Sequence, residues 1–294
     1  MVRSWGTASG GRSPARSNLS PSSHGCPGVP KLIQAEPASP VAAASIGVDR
    51  FLEDGFALRE QLAAFLELAP EALEQRLAAS CSDLAALHPG AVDFDPQRVG
   101  AFYEETVGTG HLLELAAWHL GSADYIAETL RLQARFARGQ VLDFGGGIGS
   151  HALAAAALPA VELVWFVDLN PHNRAFVAQR AKQLGLGRRI RVCRDLDDPA
   201  LPERFDTVVC LDVLEHLPDP AGQLIGFSER MEPDATALLN WYFFKGFKGE
   251  YPFHFDEPDL VERFFETLQD RYLELFHPLL ITTRAYRLRP GRPR

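Results

Sequence analysis

Cysteine, basic charge and long apolar runs are all scarce in this 294-residue sequence. Its four cysteines, Cys26, Cys81, Cys193 and Cys210, form no CxxC pair, so the spacing favours neither a zinc site nor a disulfide framework. Acidic residues outnumber basic ones by 38 to 29, and a net charge of -9 repels phosphate backbones. We therefore expect no nonspecific nucleic-acid binder, and the cysteine usage is typical of a reducing, cytoplasmic compartment.

No stretch of the sequence is long and apolar enough to predict a membrane span. The most apolar run, residues 152–167, contains Pro159 and Glu162, which divide it into a short helix and a strand. The expected partner is a small-molecule substrate rather than a membrane or a nucleic acid. The sequence predicts no oligomeric state.

The first 45 residues have a different composition from the rest of the chain. They are rich in Ser, Pro, Gly and Ala, contain Arg3, Arg12 and Arg16, and have no acidic residue before Glu36. Two interpretations remain open for residues 1–47: a disordered tail, or a transit segment that would direct the protein to an organelle instead of the cytoplasm. An apolar secretory signal is missing from this stretch.

Two periodicities divide the remaining chain. Residues 48–137 show helical spacing of apolar residues, which predicts helices over 48–68, from Pro70, over 110–120 and over 123–138. Residues 138–294 alternate short apolar runs with helical segments. Seven strands are predicted, at 140–144, 161–170, 189–195, 205–213, 235–244, 272–276 and 280–288. The pattern predicts an α/β fold: a Rossmann-like, doubly wound, seven-stranded sheet with an N-terminal α-helical cap.

A glycine-rich loop, VLDFGGGIG (141–149), follows the first predicted strand. A triphosphate-binding loop would need a lysine after its last glycine, and none is present. A dinucleotide fingerprint would place Gly or Ala where this chain has Ser150. The pattern is instead DxGxGxG, formed by Asp143, Gly145, Gly147 and Gly149, and the acid suits a ligand that carries a positive amine.

Acidic residues also follow the next two predicted strands. Asp168 lies 19 residues after Gly149, where a carboxylate accepts hydrogen bonds from ribose hydroxyls. This feature is shared by proteins that bind NAD and by proteins that bind S-adenosylmethionine. Asp195 and Leu196 end the third strand, at a position suited to an adenine edge.

Taken together, VLDFGGGIG, FVDLN (166–170), the Asp195–Leu196 pair and FDTVVCLDVLEHLPDP (205–220) resemble the motif series of class I S-adenosylmethionine-dependent methyltransferases over roughly residues 138–288. The resemblance implies that the glycines pass the methionine moiety, that Asp143 supports its ammonium, that Asp168 binds the ribose and that Asp195 and Leu196 bind the adenine. The implied cofactor-binding residues are Asp143, Gly145, Gly146, Gly147, Gly149, Asp168, Leu169, Asp195, Leu196 and Asp212.

The stretch Asp212-Val213-Leu214-Glu215-His216 stands where DNA-amino methyltransferases carry an Asp/Asn-Pro-Pro-aromatic run. It resembles the O-methyltransferases of ubiquinone biosynthesis, and also the small-RNA 2′-O-methyltransferases that bind a divalent metal. The resemblance leaves three interpretations open. His216 and Glu215 act as catalytic residues without a metal; or Asp212, Glu215, His216 and the distant His254 bind Mg or Mn; or Glu215 and His216 only cap and line a helix.

Two segments are candidates for the acceptor site. FYEETVGTGHLLELAAWH (102–119) resembles the segment that closes over the methionine end, through Tyr103, Thr106, Gly108 and His111. NWYFFKGFKGEYPFHF (240–255) is rich in aromatic rings, which favours a planar or apolar acceptor. The candidate substrate-binding residues are Tyr103, His111, Trp241, Tyr242 and His254.

The sequence thus predicts methyl transfer from S-adenosylmethionine to an oxygen or carbon atom of a small organic acceptor. Two alternatives stay open: a methyltransferase that acts on RNA or protein, and a non-catalytic regulator that binds S-adenosylmethionine. A divalent metal is a second, conditional cofactor of the predicted enzyme.

Overall fold

The structure is a computed structural model that describes residues 46–87, 98–279 and 282–291. The predicted tail at residues 1–45 lies outside the described residues. Among the described helices, none combines the length and the apolar character that crossing a membrane requires.

The N-terminal part of the described chain is helical, as predicted. Its elements are α1 (Val48–Asp54), α2 (Leu58–Phe65), α3 (Pro70–Ala86), α4 (Val99–Ala101), a π-helical segment (Phe102–Thr106), α5 (Gly110–Gly121) and α6 (Ala123–Phe136). The single helix expected over 48–68 is wrong, because the chain breaks between α1 and α2. Gly55, Phe56 and Ala57 all have left-handed backbone angles there, with φ of 60°, 62° and 59°.

The remaining elements form the predicted α/β domain. The strands are β1 (Gly139–Phe144), β2 (Val161–Val167), β3 (Ile190–Cys193), β4 (Phe205–Cys210), β5 (Met231–Leu239), β6 (Tyr272–Leu275) and β7 (Arg284–Leu288). The helices are α7 (Ser150–Ala157), α8 (Pro171–Gln183), α9 (Pro220–Arg230) and α10 (Pro258–Arg271), with a 3₁₀ turn at Leu214–His216. Strand β5 ends before the aromatic run that the sequence placed partly within it, so residues 241–255 form a loop.

All seven strands belong to one sheet, in the order β3-β2-β1-β4-β5-β7-β6. Strands β1 to β5 are parallel, and β7 runs antiparallel to both β5 and β6. Val141 of β1 pairs with Val164 on one side and with Thr207 of β4 on the other. The strand order therefore reverses between β1 and β4, and the loops that follow these two strands flank the crevice where such sheets bind ligands.

Alternation along β1 places its side chains in two cores, one on each face of the sheet. Val141 packs with Val177 of α8, whereas Leu142 packs with Phe227 of α9. A third core joins the helical cap to the sheet: Leu62 and Leu112 pack against Ile148, which belongs to the glycine loop itself. The cap thus contacts the loop that follows β1.

Candidate functional site

The glycine loop lies at the carboxyl end of β1 and turns directly into α7. Gly145 and Gly147 have φ of +69° and +56°, a region that side chains with a Cβ rarely adopt. A Cβ on Gly147 would lie 2.7 Å from Leu115 of α5, and one on Gly145 would lie 2.5 Å from Val213. Glycine is therefore required both by the backbone angles and by the close approach of α5 and of the stretch after β4.

Asp143 lies beneath this loop and is 3% exposed. One of its carboxylate oxygens, Oδ2, is buried without a hydrogen-bond partner among the described residues. Burial, and then the nearby Asp168, raise the pKa of Asp143 to about 7. A buried carboxylate oxygen without a donor is costly, so this position suits a positively charged or donating group of a ligand.

Asp168 follows β2 and is held against the glycine loop. Its Oδ2 accepts the Gly147 amide at 2.9 Å, and its Oδ1 accepts the Asn170 amide at 2.8 Å. The Asn173 side chain donates to the same carboxylate at 3.2 Å and contacts His111 Nδ1 at 3.1 Å. Burial raises the pKa of Asp168 to about 6. Neither asparagine was predicted from the sequence as a site residue, although both stand within five residues of Asp168.

The candidate adenine residues lie after β3. Asp195 accepts the backbone amide of Asp197 at 3.0 Å and pairs with Arg194. Arg194 also forms a two-pronged pair with Glu104 of the π-helical segment, with both distances at 2.6 Å. Leu196 is partly buried against the core on the α9 face. The π-helical segment is thus attached to the adenine end of the candidate site.

The same segment reaches the opposite end of the site. The Tyr103 hydroxyl lies 3.3 Å from Nδ1 of His216, and the Tyr103 ring lies 5.4 Å from that of His111. Phe102 stacks on Phe253 of the aromatic loop at 5.2 Å. The structure therefore brings together Tyr103, His111 and His216, three of the residues that the sequence nominated.

Glu215, His216 and His254 form a cluster in which one potential ligand atom from each lies within 4.8 Å of the others. His216 and His254 have ring centroids 4.7 Å apart. Asp212, the fourth candidate ligand predicted from the sequence, is not part of this group of three. Its φ is 54°, and it forms hydrogen bonds with Asn240.

Backbone carbonyl groups contact the Nδ1 atoms of both histidines. His216 Nδ1 lies 3.2 Å from the carbonyl oxygen of Phe253, and His254 Nδ1 lies 3.1 Å from that of Phe244. A carbonyl oxygen only accepts, so these two contacts favour a proton on each Nδ1. The Tyr103 hydroxyl also contacts His216 Nδ1, and His254 forms a second backbone hydrogen bond, with Tyr242. Burial, and then His254, lower the pKa of His216 to about 3, so this imidazole is neutral.

Glu215 is the most enclosed member of the cluster, with 1% of its surface exposed. One oxygen accepts the Tyr242 backbone amide, whereas Oε2 is buried without a hydrogen-bond partner in the described chain. Burial, and then Asp212, raise the pKa of Glu215 to about 8. The free oxygen can accept a proton or bind a cation.

The two aromatic candidates at the start of the loop take different positions. Trp241 packs on Phe264 and Phe265 of α10, and it does not join the cluster. Tyr242 is half exposed, and its ring lies 5.9 Å from that of His254. Tyr242 therefore borders the candidate site, and Trp241 belongs to the core beside it.

A family model described as a methyltransferase domain matches residues 117–244 of the chain. This segment contains the glycine loop, Asp168, Asp195 and the Asp212–His216 stretch. Residues 117–244 form a class I S-adenosylmethionine-dependent methyltransferase domain. The matched part of this methyltransferase domain excludes the π-helical segment and His254.

Curated relatives are also methyltransferases. The mitochondrial ubiquinone biosynthesis O-methyltransferase of Schizosaccharomyces pombe is 29% identical over 119 residues, which are 40% of this chain and 43% of that protein. The ubiquinone biosynthesis O-methyltransferase of Xanthomonas euvesicatoria pv. vesicatoria is 30% identical over 119 residues, covering 40% and 47%. The chain spans less than half the length of each of these relatives.

The methyltransferase fold is also similar to solved structures. A putative S-adenosyl-L-methionine-dependent methyltransferase from Methanococcus maripaludis aligns with a TM-score of 0.43 and 13% identity, covering 57% of this chain and 86% of that one.

Proposed function

We propose that the protein transfers the methyl group of S-adenosylmethionine to a small organic acceptor, at an oxygen or carbon atom that must lose a proton. The observation that carries this proposal is the neutral His216, whose Nδ1 lies 3.2 Å from the Phe253 carbonyl oxygen, beside the buried carboxyl group of Glu215. Methyl transfer is an in-line displacement that needs positioning and, for a hydroxyl or an acidic carbon, a base. The named function of the curated O-methyltransferase relatives favours oxygen.

The loop after β1 fits the methionine end of the cofactor. Asp143 Oδ2 is buried without a partner among the described residues, and the ammonium of the cofactor would supply the missing donor. Asp168 would accept hydrogen bonds from the ribose, and Asp195 with the Leu196 backbone would hold the adenine. Gly145 to Gly149 would let the cofactor approach the backbone, with Leu169 beside it. Once bound, the cofactor supplies an electrophilic methyl group on a sulfonium.

The acceptor would lie between the π-helical segment and the aromatic loop. His216 Nε2 is the proton acceptor in this arrangement, because its Nδ1 already donates to Phe253. Tyr103 contacts the same ring, so its phenol lies at the edge of the acceptor space. Contact between Gly145 and Val213 places the glycine loop next to the stretch that carries His216. Methyl donor and base are thereby expected on neighbouring loops.

The cluster also fits a divalent metal, Mg or Mn, as a conditional cofactor. Glu215 would bind it through the free Oε2, and His216 and His254 would each bind it through one ring nitrogen. Both histidines donate Nδ1–H to a backbone carbonyl, which is the support that orients metal-binding imidazoles. A metal there would polarise an acceptor oxygen and favour its anionic form.

The helical region 48–137 would act as the cap of the site and residues 138–294 as the catalytic domain. The boundary follows the change from helices to the sheet at Gly139. The cap contributes Tyr103 and His111, and the core around Ile148 joins it to the glycine loop.

Methyl-labelled S-adenosylmethionine tests the proposal directly. The full chain is incubated with a cell extract separated into small molecules, RNA and protein, and label is followed in each fraction. Label among the small molecules, lost in His216→Gln, is the expected result. Label in RNA or protein would show that the acceptor is a macromolecule and not a small molecule. Binding of S-adenosylhomocysteine without transfer to any fraction would favour a regulator that binds the cofactor.

A further inference from the structure

Asp212 has an unusual backbone for its position. Its φ is +54°, and beyond residue 67 it is the only non-glycine residue with left-handed angles in the part of the chain that the structure describes. Aspartate adopts this region at a smaller cost than most residues with a Cβ, and surrounding contacts offset that cost. The contacts of Asp212 near the end of β4 therefore show what stabilises its conformation.

Asn240 makes those contacts from the first position after β5. Its Oδ1 accepts the backbone amide of Asp212, and its Nδ2 donates to Asp212 Oδ1 at 3.0 Å. One amide side chain thus holds both the backbone and the carboxylate of the same residue. Asn240 is 4% exposed, so water does not compete effectively for these bonds.

The second hydrogen of Asn240 Nδ2 fixes the amide from the other side. It is donated to the Tyr125 hydroxyl of α6 at 2.9 Å, and that hydroxyl lies 3.1 Å from Thr282 Oγ1. A reversed amide would point NH₂ at the Asp212 backbone N–H and lose the acceptor it needs. The amide orientation is therefore determined by three partners.

The strained residue directly precedes the turn that carries the catalytic candidates. His216 N–H closes this turn onto Val213 at 3.0 Å, and the Phe255 amide bonds to the Glu215 carbonyl at 2.7 Å. The backbone angles at Asp212 set the direction in which the chain leaves β4. They therefore determine where Glu215 and His216 lie. They also bring Asp212 Oδ1 within hydrogen-bond distance of Asn240.

We infer that Asn240 is a positioning residue that holds Asp212 in its left-handed conformation and thereby places Glu215 and His216. Its catalytic consequence rests on the proposed methyl transfer. Tyr125 extends the support to α6, so the helical region fixes the turn from outside the sheet. Asn240 itself touches neither acceptor nor cofactor in this assignment.

Hydrogen–deuterium exchange of residues 211–217 in the full chain tests whether Asn240 holds this segment in place, and it needs no substrate. Asn240→Ala should accelerate exchange in this segment at least tenfold. Thr207→Val is the matched control, since Thr207 is a buried residue of β4 whose hydroxyl bonds to Arg138 at the opposite end of the strand. The control should lower thermal stability and leave exchange at 211–217 unchanged. Equal exchange in the two variants would overturn the inference.

Measurements of methyl transfer by single and double variants provide a second test. With labelled S-adenosylmethionine and the small-molecule fraction of the extract, Asn240→Ala should lower kcat at least tenfold and change the cofactor KM less than threefold. Asp212→Gly removes the strain, because glycine adopts left-handed angles freely. Adding Asn240→Ala to Asp212→Gly should then lower kcat less than threefold further. If Asn240→Ala lowers kcat as much in the Asp212→Gly variant as in the wild-type chain, the positioning role is refuted. If the wild-type chain transfers no methyl group, only the proposed function is refuted. The hydrogen–deuterium exchange experiment still tests whether Asn240 positions Glu215 and His216.

Discussion

Nη1 of Arg180 donates a 2.9 Å hydrogen bond to the carbonyl oxygen of Ile148, inside the glycine loop. The same guanidinium donates to Gln61 at 2.7 Å and to the Gly55 carbonyl at 2.9 Å, and it is completely buried. All these acceptors are neutral. Burial lowers the pKa of Arg180 to about 9, which leaves it protonated at neutral pH. One cation therefore joins the turn between α1 and α2 to the candidate cofactor loop.

Replacing Arg180 by lysine should lower both stability and cofactor affinity. A single ammonium cannot reach acceptors on two sides, and buried acceptors are left without donors, so we expect a loss of about 3–5 kcal/mol in the free energy of unfolding. The Kd for S-adenosylhomocysteine should rise severalfold, because Ile148 loses its anchor. Arg189→Lys is the control, since Arg189 binds the Leu158 carbonyl at 2.9 Å, away from the glycine loop. Chemical denaturation measures the change in stability, and calorimetry measures the Kd. An unchanged Kd in Arg180→Lys would show that Arg180 does not affect cofactor binding through the glycine loop.

Asp168→Ala should strongly weaken cofactor binding. Charge-assisted hydrogen bonds contribute about 1.5–3 kcal/mol, which corresponds to a rise of about 10- to 150-fold in the Kd for S-adenosylhomocysteine. Asp206→Ala is a suitable control, because Asp206 accepts the Gln140 amide at 2.8 Å at the far end of β1. Titration calorimetry with both variants decides the matter. Equal affinity for wild type and Asp168→Ala would show that the ribose is bound elsewhere.

The metal proposal predicts that an excess of chelator abolishes methyl transfer and that Mg or Mn restores it. His254→Ala should weaken Mn²⁺ binding, measured by electron paramagnetic resonance, because it removes one of three ligands from the cluster. His277→Ala is a matched control on a histidine outside this group. Full transfer in chelator would leave His216 and Glu215 to act without a metal.

The buried His151 predicts a loss of stability in acid. Its Nε2 lies 2.7 Å from Thr129 Oγ1, and burial lowers its pKa to about 4 from the usual 6.5. Between these two values the unfolded chain binds a proton that the folded chain does not, so this stabilisation is present above pH 6.5 and declines as the pH falls. The decline should be about 1.4 kcal/mol per pH unit.

His151→Gln isolates this effect from the other buried titrating groups. Glutamine retains an N–H donor for Thr129 but does not titrate. The difference in unfolding free energy between wild type and variant should therefore shrink as the pH falls from 6.5 toward 4. Urea denaturation at several pH values measures it, and a pH-independent difference would mean that His151 is already charged in the fold.

Much of the architecture could be predicted from the sequence because its causes are local. Short apolar runs between helical patterns predicted all seven strands, and the glycine spacing predicted the loop after β1. The motif resemblance predicted that His254 lies near Glu215 and His216, although 38 positions separate the two histidines in the sequence.

The features that the sequence did not predict depend on tertiary contacts. Arg180 stands near Lys182 in an ordinary polar helix, and no local pattern indicates that it is buried beneath the cap. The positive φ at Asp212 accompanies hydrogen bonds to Asn240, 28 residues away in the sequence, and no local turn signature marks it. The aromatic run likewise gave no sign that Trp241 would pack on α10 while Tyr242 borders the site.

The π-helical segment Phe102–Thr106 contacts both ends of the candidate site through two adjacent side chains. Glu104 pairs with Arg194 at the adenine end, and Tyr103 lies against His216 at the acceptor end. One short helical segment therefore contacts residues assigned to both ligands. Under the proposed function, a movement of this segment would change access to the cofactor and to the acceptor together.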